Sequence, residues 1–368
     1  MADTKMKKVL FFTNMPSPYR VSFFNLLGKY CDLHVMFELG EAKGRDQTWL
    51  SNRFESFAPH FLKSLAYSNE GSFAFDVIRQ YKKINPDISI ICDISSLSGV
   101  RLLSYLIHHH KTYIIEGDGA FDRPCNFIKR KLKQKFFRNA EKLLYTSEEH
   151  RNYYLRFGAR KEQLFWYPFS SVSREDVLDE NWLLKRMDKP NGSPFVFLSV
   201  GRFLDLKNFE TAIRASGKTH VQNSKMIIVG GEPTPKYLKI IEEENIKNVE
   251  FLPFMDSKKL YRLMQQCDCF VFPSLNDIWG LVINEAAANG MPIISSRGAL
   301  SAVEIQHHSD GIILYDGLDV DDLAAKMQAV ASLSKEDLLG MSLNNLRAVS
   351  NYTIEAMAEK HMELLGLK

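Results

Sequence analysis

Two kinds of stretch take turns along the chain. Residues 8–12 (KVLFF), 33–37 (LHVMF), 88–91 (ISII), 113–115 and 143–145 are apolar runs without polar alternation, as in strands covered on both faces. Between them, residues 20–29, 73–83 and 100–109 repeat their apolar positions at helical spacing. A second series follows Pro194: FVFLSV, MIIVG, VEFL, CFVFP, MPIIS and GIILY. Helical spacing over 208–215, 236–244, 258–266, 281–288, 320–332 and 354–365 separates or follows these runs. Strand and helix in alternation predict an α/β fold of two doubly wound, Rossmann-like halves. Residues 170–193, polar and broken by Pro190, Asn191 and Gly192, read as the seam. The halves are placed at 1–175 and 190–350. The last helix, within 351–368, is expected to cross back to the first half. Two such halves facing each other make a cleft at the carboxyl ends of their strands, where open α/β sheets bind ligands.

Composition narrows the class. The 368 residues suffice for two domains of about 150 each. Apolar residues make up 45% and charged residues 25%, as in ordinary globular chains. A net charge of +3 excludes a general polyanion binder and leaves only local basic patches. The five cysteines are scattered, and MADTKMKKVLFF passes from charged residues into a short apolar run, unlike a secretory leader. Reduced thiols and a cytoplasmic location are the expectation. No run reaches the roughly 18 uninterrupted apolar residues of a membrane span. No GxGxxG occurs, which counts against a dinucleotide-dependent dehydrogenase.

PSLNDIWGLVINEAAANGMPIISS, residues 273–296, concentrates the chemistry. A strand ends near Pro273, and a helix runs from Leu281 until Gly290 and Pro292 stop it. The first amides of that helix, at Leu281 and Val282, lack intrahelical acceptors, and the helix dipole adds positive potential there. Gly280 lets another group come close, so the spot suits a phosphate. Glu285 lies about one turn into the helix and, when ionised, accepts from vicinal hydroxyls such as those of a ribose. Asp277, eight residues earlier, can accept from hydroxyls at the ligand's other end. Phosphate between two sets of hydroxyls describes a nucleotide sugar. Taken singly, each acid has a plain alternative: Asp277 as a loop residue, Glu285 as a helper of the positive helix end.

The whole constellation resembles the signature of glycosyltransferases of the family 4 type, which have the GT-B fold. There a strand ending in PS leads to two acids with seven residues between, then a helix of small residues and Gly-x-Pro. This chain keeps the spacing and has Asp277 where Glu is usual. SVGRFLDLKNFETAIRA, residues 199–215, resembles the same family's Gly-Arg loop and Lys-bearing helix start. The resemblance places Gly201, Arg202 and Lys207 on the diphosphate, the two cations stabilising charge that grows as the sugar leaves. MIIVGGEP brings Gly230 to a strand end, where the backbone can approach a ligand closely. VEFLPFMD occupies the place of the family's base-framing loop, with Phe251, Pro253 and Phe254 as framing or core residues.

In the first half, FFTNMPSPYRVSFFNLLGKY carries PSPYR where many family members have a Gly-rich loop, a pattern similar to members of capsular and exopolysaccharide assembly. Tyr19 and Arg20, at the helix start, are expected to grip the acceptor or the diphosphate; packing for Tyr19 and solvation for Arg20 are the plain alternatives. IIEGDGAFDRP offers Glu116, Asp118 and Asp122, without the histidine that many relatives place near this strand end. Asp118, or else Glu116, is the candidate for activating the acceptor; a Gly-rich turn explains the segment equally well. Residues 123–138 carry seven cations (Arg123, Lys129, Arg130, Lys131, Lys133, Lys135 and Arg138) and no acid, with Phe127, Ile128, Leu132, Phe136 and Phe137 interleaved. Such a helix suits an anionic membrane surface, each cation adding roughly 1 kcal/mol, or else is a solvated helix with its Phe residues in the core. His108 to His110 are read as cations at a helix end, and Cys267 and Cys269 as core.

The resemblance implies a retaining, metal-independent, hexosyltransferase-like enzyme that needs no cofactor. It would move a sugar from a nucleotide sugar, UDP- or GDP-linked, to a glycan or lipid-linked acceptor in bacterial surface polysaccharide assembly. Its catalytic set is Asp118, Arg202, Lys207 and Asp277, and no nucleic acid is a partner. Two alternatives stand: a sugar-nucleotide epimerase or hydrolase on the same fold, and a catalytically weak binding subunit of a polysaccharide assembly complex.

Overall fold

The computed structural model describes residues 6–40, 53–66, 72–121, 123–186, 189–190 and 192–367. Asp122 and Asn191 lie outside the described residues. The chain divides into two compact units, one of residues 1–170 with 354–368 and one of residues 171–353.

The first unit opens with β1 (Lys8–Thr13), α1 (Pro18–Leu27) and β2 (Asp32–Phe37). Then come β3 (Ala58–Phe61), β4 (Ser64–Ala66), β5 (Ser72–Ala74), α2 (Val77–Ile84), β6 (Ile88–Ile91), α3 (Leu97–His108) and β7 (Ile114–Glu116). It continues with α4 (Phe127–Asn139), β8 (Lys142–Tyr145), α5 (Glu148–Arg156) and β9 (Leu164–Trp166). Seven strands form one parallel sheet in the order β3-β2-β1-β6-β7-β8-β9. Val9, Leu10, Phe11 and Phe12 of β1 are all fully buried, as expected of a central strand with helices on both faces. The chain leaves β1 toward β2 and later returns on the other side at β6, so a switch in strand order lies between β1 and β6. Crevices at the carboxyl ends of strands beside such a switch are where α/β sheets bind ligands.

The second unit runs α6 (Glu180–Arg186), β10 (Phe195–Val200), α7 (Phe209–Lys218), β11 (Ser224–Val229), α8 (Pro235–Glu243) and β12 (Val249–Leu252). It goes on through α9 (Ser257–Met264), β13 (Cys269–Phe272), α10 (Leu281–Ala288), β14 (Ile293–Ser296) and α11 (Leu300–Gln306). It ends with β15 (Ile312–Tyr315), α12 (Val320–Ala331) and α13 (Lys335–Val349). Its six strands are parallel in the order β12-β11-β10-β13-β14-β15, with the switch between β10 and β13. Met226, Ile228, Val271 and Ile294 from three of these strands share one core with Phe209 and Tyr237 from α7 and α8. Cys267 and Cys269 are buried free thiols. The last helix, α14 (Ile354–Leu365), packs against α1 of the first unit. Phe73, read from the sequence as the start of a helix, lies in β5; the helix begins at Val77. The doubly wound α/β class expected from the alternation is what both units show.

Candidate functional site

In the second unit, the loops after β10 and β13 meet at the switch point. The Leu275 amide donates to the Leu206 carbonyl at 2.8 Å, and the Ser274 hydroxyl to the same oxygen at 3.2 Å. Asn208, in the left-handed region at φ 53°, donates through its side-chain amide to the Pro273 and Gly317 carbonyls. These ties fix Lys207 beside the 273–280 loop. There its ammonium pairs with the Asp277 carboxylate and lies 5.2 Å over the Phe272 ring. Asp277 is anchored in turn: its amide donates to the Gly298 carbonyl at 2.8 Å, and its own carbonyl accepts from the Leu300 amide at 3.2 Å.

Helix starts show what is special here. Ser96, Asn126, Ser147, Thr234, Asp256, Asp319 and Ser334 each cap a helix through a side-chain oxygen. α10, like α1, α2, α7 and α11, has no side-chain cap, and it starts on a glycine, Gly280, at φ 89°. A side chain there would be strained by that φ and would stand 3.2 Å from Phe272, 3.3 Å from the Ser301 hydroxyl and 3.6 Å from the Asp277 carboxyl carbon. The start of α10 is thus open to an anion, with Asp277 at its side. Gly201 follows β10 within reach of the Lys207 stem: a β-carbon on it would sit 3.8 Å from Lys207 Cδ. Gly230 follows β11 and packs on the Gly201 carbonyl, so closely that a β-carbon would collide with that oxygen. Gly201, Lys207, Asp277 and Gly280 are therefore one cluster, with Gly230 on its flank.

Leu281 and Val282, the first turn of α10, follow directly. Glu285, one turn on, accepts from the Ser171 hydroxyl at 2.8 Å. Burial pushes its carboxyl up to about 7; the Asp176 charge adds to the rise and the Ser171 hydrogen bond opposes it. Arg202 is exposed and forms no ion pair among the described residues. Phe254 is exposed, while Phe251 stacks on Tyr237 and meets Phe203 edge-on.

The first unit has a second charged cluster, at the carboxyl end of β7. Arg20, in the first turn of α1 and only 3% exposed, is not the solvated side chain that the sequence left open. Its guanidinium pairs with Glu116 through one nitrogen and with Asp118 through the other, at 2.5 Å in the second case. It also lies 5.3 Å over the Phe169 ring, which Tyr19 meets edge-on at 5.7 Å. Burial alone would raise the Glu116 carboxyl, but Arg20 and His361 outweigh it and hold the group down at about 2. Asp118 is raised, by burial first and by the Glu116 charge, with Arg20 opposing. So two carboxylates two residues apart are driven in opposite directions, the arrangement by which a site separates a permanent anion from a proton acceptor.

Two histidines that sequence reasoning passed over belong to this neighbourhood. His361 of α14 contacts Glu116. His150, near the start of α5, is buried and held well below its usual range, at about 3, by that burial. A β-carbon on Gly117 would lie 2.9 Å from its Nε2. The segment 114–124 itself contains no histidine, but the topology brings one to it from α5. Among the described residues no cluster of His, Cys, Asp or Glu has the makings of a metal site.

Comparison with known proteins bears on the second unit first. Residues 181–339 match the family described as glycosyl transferases group 1. An uncharacterized glycosyltransferase of Methanocaldococcus jannaschii is 34% identical over 124 residues, 33% of this chain and 32% of that protein. The lipopolysaccharide core biosynthesis glycosyltransferase LpsE of Rhizobium meliloti is 22% identical over 238 residues, 63% of this chain and 66% of LpsE. The matched stretches thus span from about a third to just under two thirds of those relatives. The structure of Anabaena HepE in complex with UDP superposes with a TM-score of 0.78 at 15% identity, covering 98% of this chain and 99% of HepE. The match to the glycosyl transferases group 1 family covers residues 181–339, and the chain has the GT-B fold.

Proposed function

We propose that this protein transfers a sugar from a nucleotide sugar to a glycan or lipid-linked acceptor, with retention at the anomeric carbon and without a metal ion, as enzymes of the family 4 type do. The observation that carries the reading is the cluster of Gly201, Lys207, Asp277 and Gly280 at the open start of α10, inside the matched segment. A diphosphate placed there meets backbone amides and the Lys207 ammonium, and on this reading the exposed Arg202 turns to it. On this reading Glu285, one turn into α10, takes the ribose hydroxyls, and Asp277 those of the sugar. In the free protein Lys207 and Asp277 neutralise each other. An incoming diphosphate competes for the ammonium and releases the carboxylate to accept from hydroxyls. HepE, of the same fold, was solved with UDP, which favours a UDP-sugar as donor.

The acceptor side is assigned to Tyr19, Arg20, Glu116 and Asp118, with Asp118 taking the acceptor proton. LpsE acts in lipopolysaccharide core biosynthesis, which supports a bacterial surface glycan as product. α4 supports an acceptor reached at an anionic membrane. Its Phe127 and Ile128 are 72% and 70% exposed beside Lys129, Arg130 and Lys131, while Phe136 and Phe137 anchor its other end in the core. No helix among the described residues is long and apolar enough to cross a membrane; we propose a peripheral contact on the cytoplasmic face.

A thermal-shift screen of UDP-, GDP- and dTDP-sugars tests the donor site. One nucleotide class is expected to stabilise the protein, and Arg202→Ala, Lys207→Ala and Glu285→Ala to lose that effect. Stabilisation kept by all three variants would move the site elsewhere. The same screen run against pH reads Glu285. Ribose hydroxyls bind an ionised acceptor more strongly than a protonated one, and burial pushes this carboxyl up to about 7 in the free protein. Donor affinity should therefore rise with pH and level off above that point, by at most about tenfold per pH unit. Glu285→Gln should flatten the profile.

A further inference from the structure

Glu116 has two carboxylate oxygens and two partners. Oε1 pairs with Arg20, and Oε2 stands 2.8 Å from His361 Nε2. The other ring nitrogen, Nδ1, stands 2.8 Å from the Met357 carbonyl oxygen. An ionised carboxylate only accepts, so the His361 ring donates to Glu116 through Nε2. It is wholly enclosed, with the Phe23 and Tyr167 rings edge-on at 4.8 and 5.2 Å between centroids. The contacts form one chain: His361, Glu116, Arg20, Asp118. Only the last is open to solvent, its side chain 31% exposed against 0–4% for the other three.

Arg20 has donors enough to occupy both Glu116 oxygens in a bidentate fork. His361 takes one of them instead, and the second guanidinium nitrogen is turned to Asp118. We propose that His361 is a positioning residue: from the terminal helix it orients Glu116, Glu116 orients Arg20, and Arg20 sets the place of Asp118 at the acceptor end. The proposal rests on the assignment of Asp118 as the acceptor-side group made above.

His361→Leu and His361→Gln test it, since Gln keeps one donor for Glu116. His361→Leu should lower kcat by about 100-fold, the scale of a misplacement of about 1 Å. The KM for the donor should stay within about twofold, and Gln should restore most of the rate. A histidine that serves only to pack α14 would lower the melting temperature in both variants and leave kcat per folded molecule intact, which overturns the proposal. If His361→Leu does not fold, the Gln variant and the Glu116→Gln variant are compared with the wild type by nitrogen-15 NMR at neutral pH. A hydrogen-bonded Nε2 resonance that Glu116→Gln perturbs supports the proposal; an Nε2 resonance indifferent to Glu116→Gln overturns it. Should the wild type transfer no sugar to any acceptor, the functional reading falls on its own. The carboxyl carbon resonance of Asp118 then decides: a shift in His361→Gln supports the positioning role, and an unchanged resonance overturns it.

Discussion

Replacing Lys207 with alanine is expected to lower kcat/KM for sugar transfer by about 100- to 1,000-fold, the loss seen when one fixed donor is taken from a developing anion. Two effects add. In the proposed reaction negative charge grows on the leaving phosphate as the sugar departs, and Lys207 is the cation that the 204–208 loop fixes beside the open start of α10. Its removal also leaves Asp277 an unpaired carboxylate next to that phosphate, where attraction is replaced by repulsion. The second effect is separable. Asp277→Asn added to Lys207→Ala should restore part of the donor binding while the rate stays low. Lys207→Arg keeps the charge, and should lose less than alanine. Steady-state kinetics with the donor class found by the thermal-shift screen measure all of this. A Lys207→Ala rate within about threefold of wild type would remove the cation from the chemistry.

Glu116→Ala is expected to destabilise the first unit by about 3–5 kcal/mol, the cost of breaking a buried ion pair from one side. Arg20 and His361 would remain in the interior, 3% and 0% exposed, with Arg20 left to Asp118 and the His361 contact to Glu116 lost. In a body of this size each kcal/mol moves the midpoint by about 2–4 °C, so the drop should be roughly 6–20 °C. Lys360→Ala provides the contrast, since its pair with Glu363 is largely solvated and worth well under about 1 kcal/mol. The acid limb of the stability curve carries a second signature. The folded Glu116 carboxyl lies at about 2, below its unfolded value near 4.3, so its contribution is present above the unfolded value and fades as pH falls toward the folded one. Glu116→Ala should lose that part of the acid dependence. Calorimetry at neutral pH and at pH about 3 checks both statements.

The α/β architecture was legible because both sheets are built on strands buried on both faces, and such strands are unbroken apolar runs. β1, β6, β10, β13 and β14 announce themselves this way. β3, β4, β5 and β9 do not. They are three or four residues long, β3 and β9 sit at the sheet edges with partly exposed side chains, and Pro59 interrupts the pattern of β3. α5, α11 and α13 also passed unnoticed, because polar residues dilute their apolar stripes.

Candidate residues divide by sequence distance. Asp277, Gly280 and Glu285 lie within one strand–loop–helix, so their spacing alone suggests a shared ligand. The pairing of Lys207 with Asp277 spans 70 residues and that of His361 with Glu116 spans 245, and only the tertiary fold brings those partners together. One sign of the second was present in the chain. In IEAMAEKHMELL, His361 falls on the stripe shared by Ile354, Met357, Ala358 and Leu365, and a titratable residue on a buried stripe calls for a charged partner elsewhere. Arg20 could not be read as buried, since its two carboxylate partners come from β7 and the turn after it, far along the chain.

The donor site carries the whole account, and a crystal structure of the protein with a bound nucleotide sugar tests it most directly. The β-phosphate oxygens should lie within hydrogen-bonding distance of Lys207 Nζ and of the Leu281 and Val282 amides, with Arg202 turned toward them and the ribose hydroxyls donating to the Glu285 carboxylate. Phosphates bound away from Gly280, touching neither Lys207 nor Arg202, would contradict it.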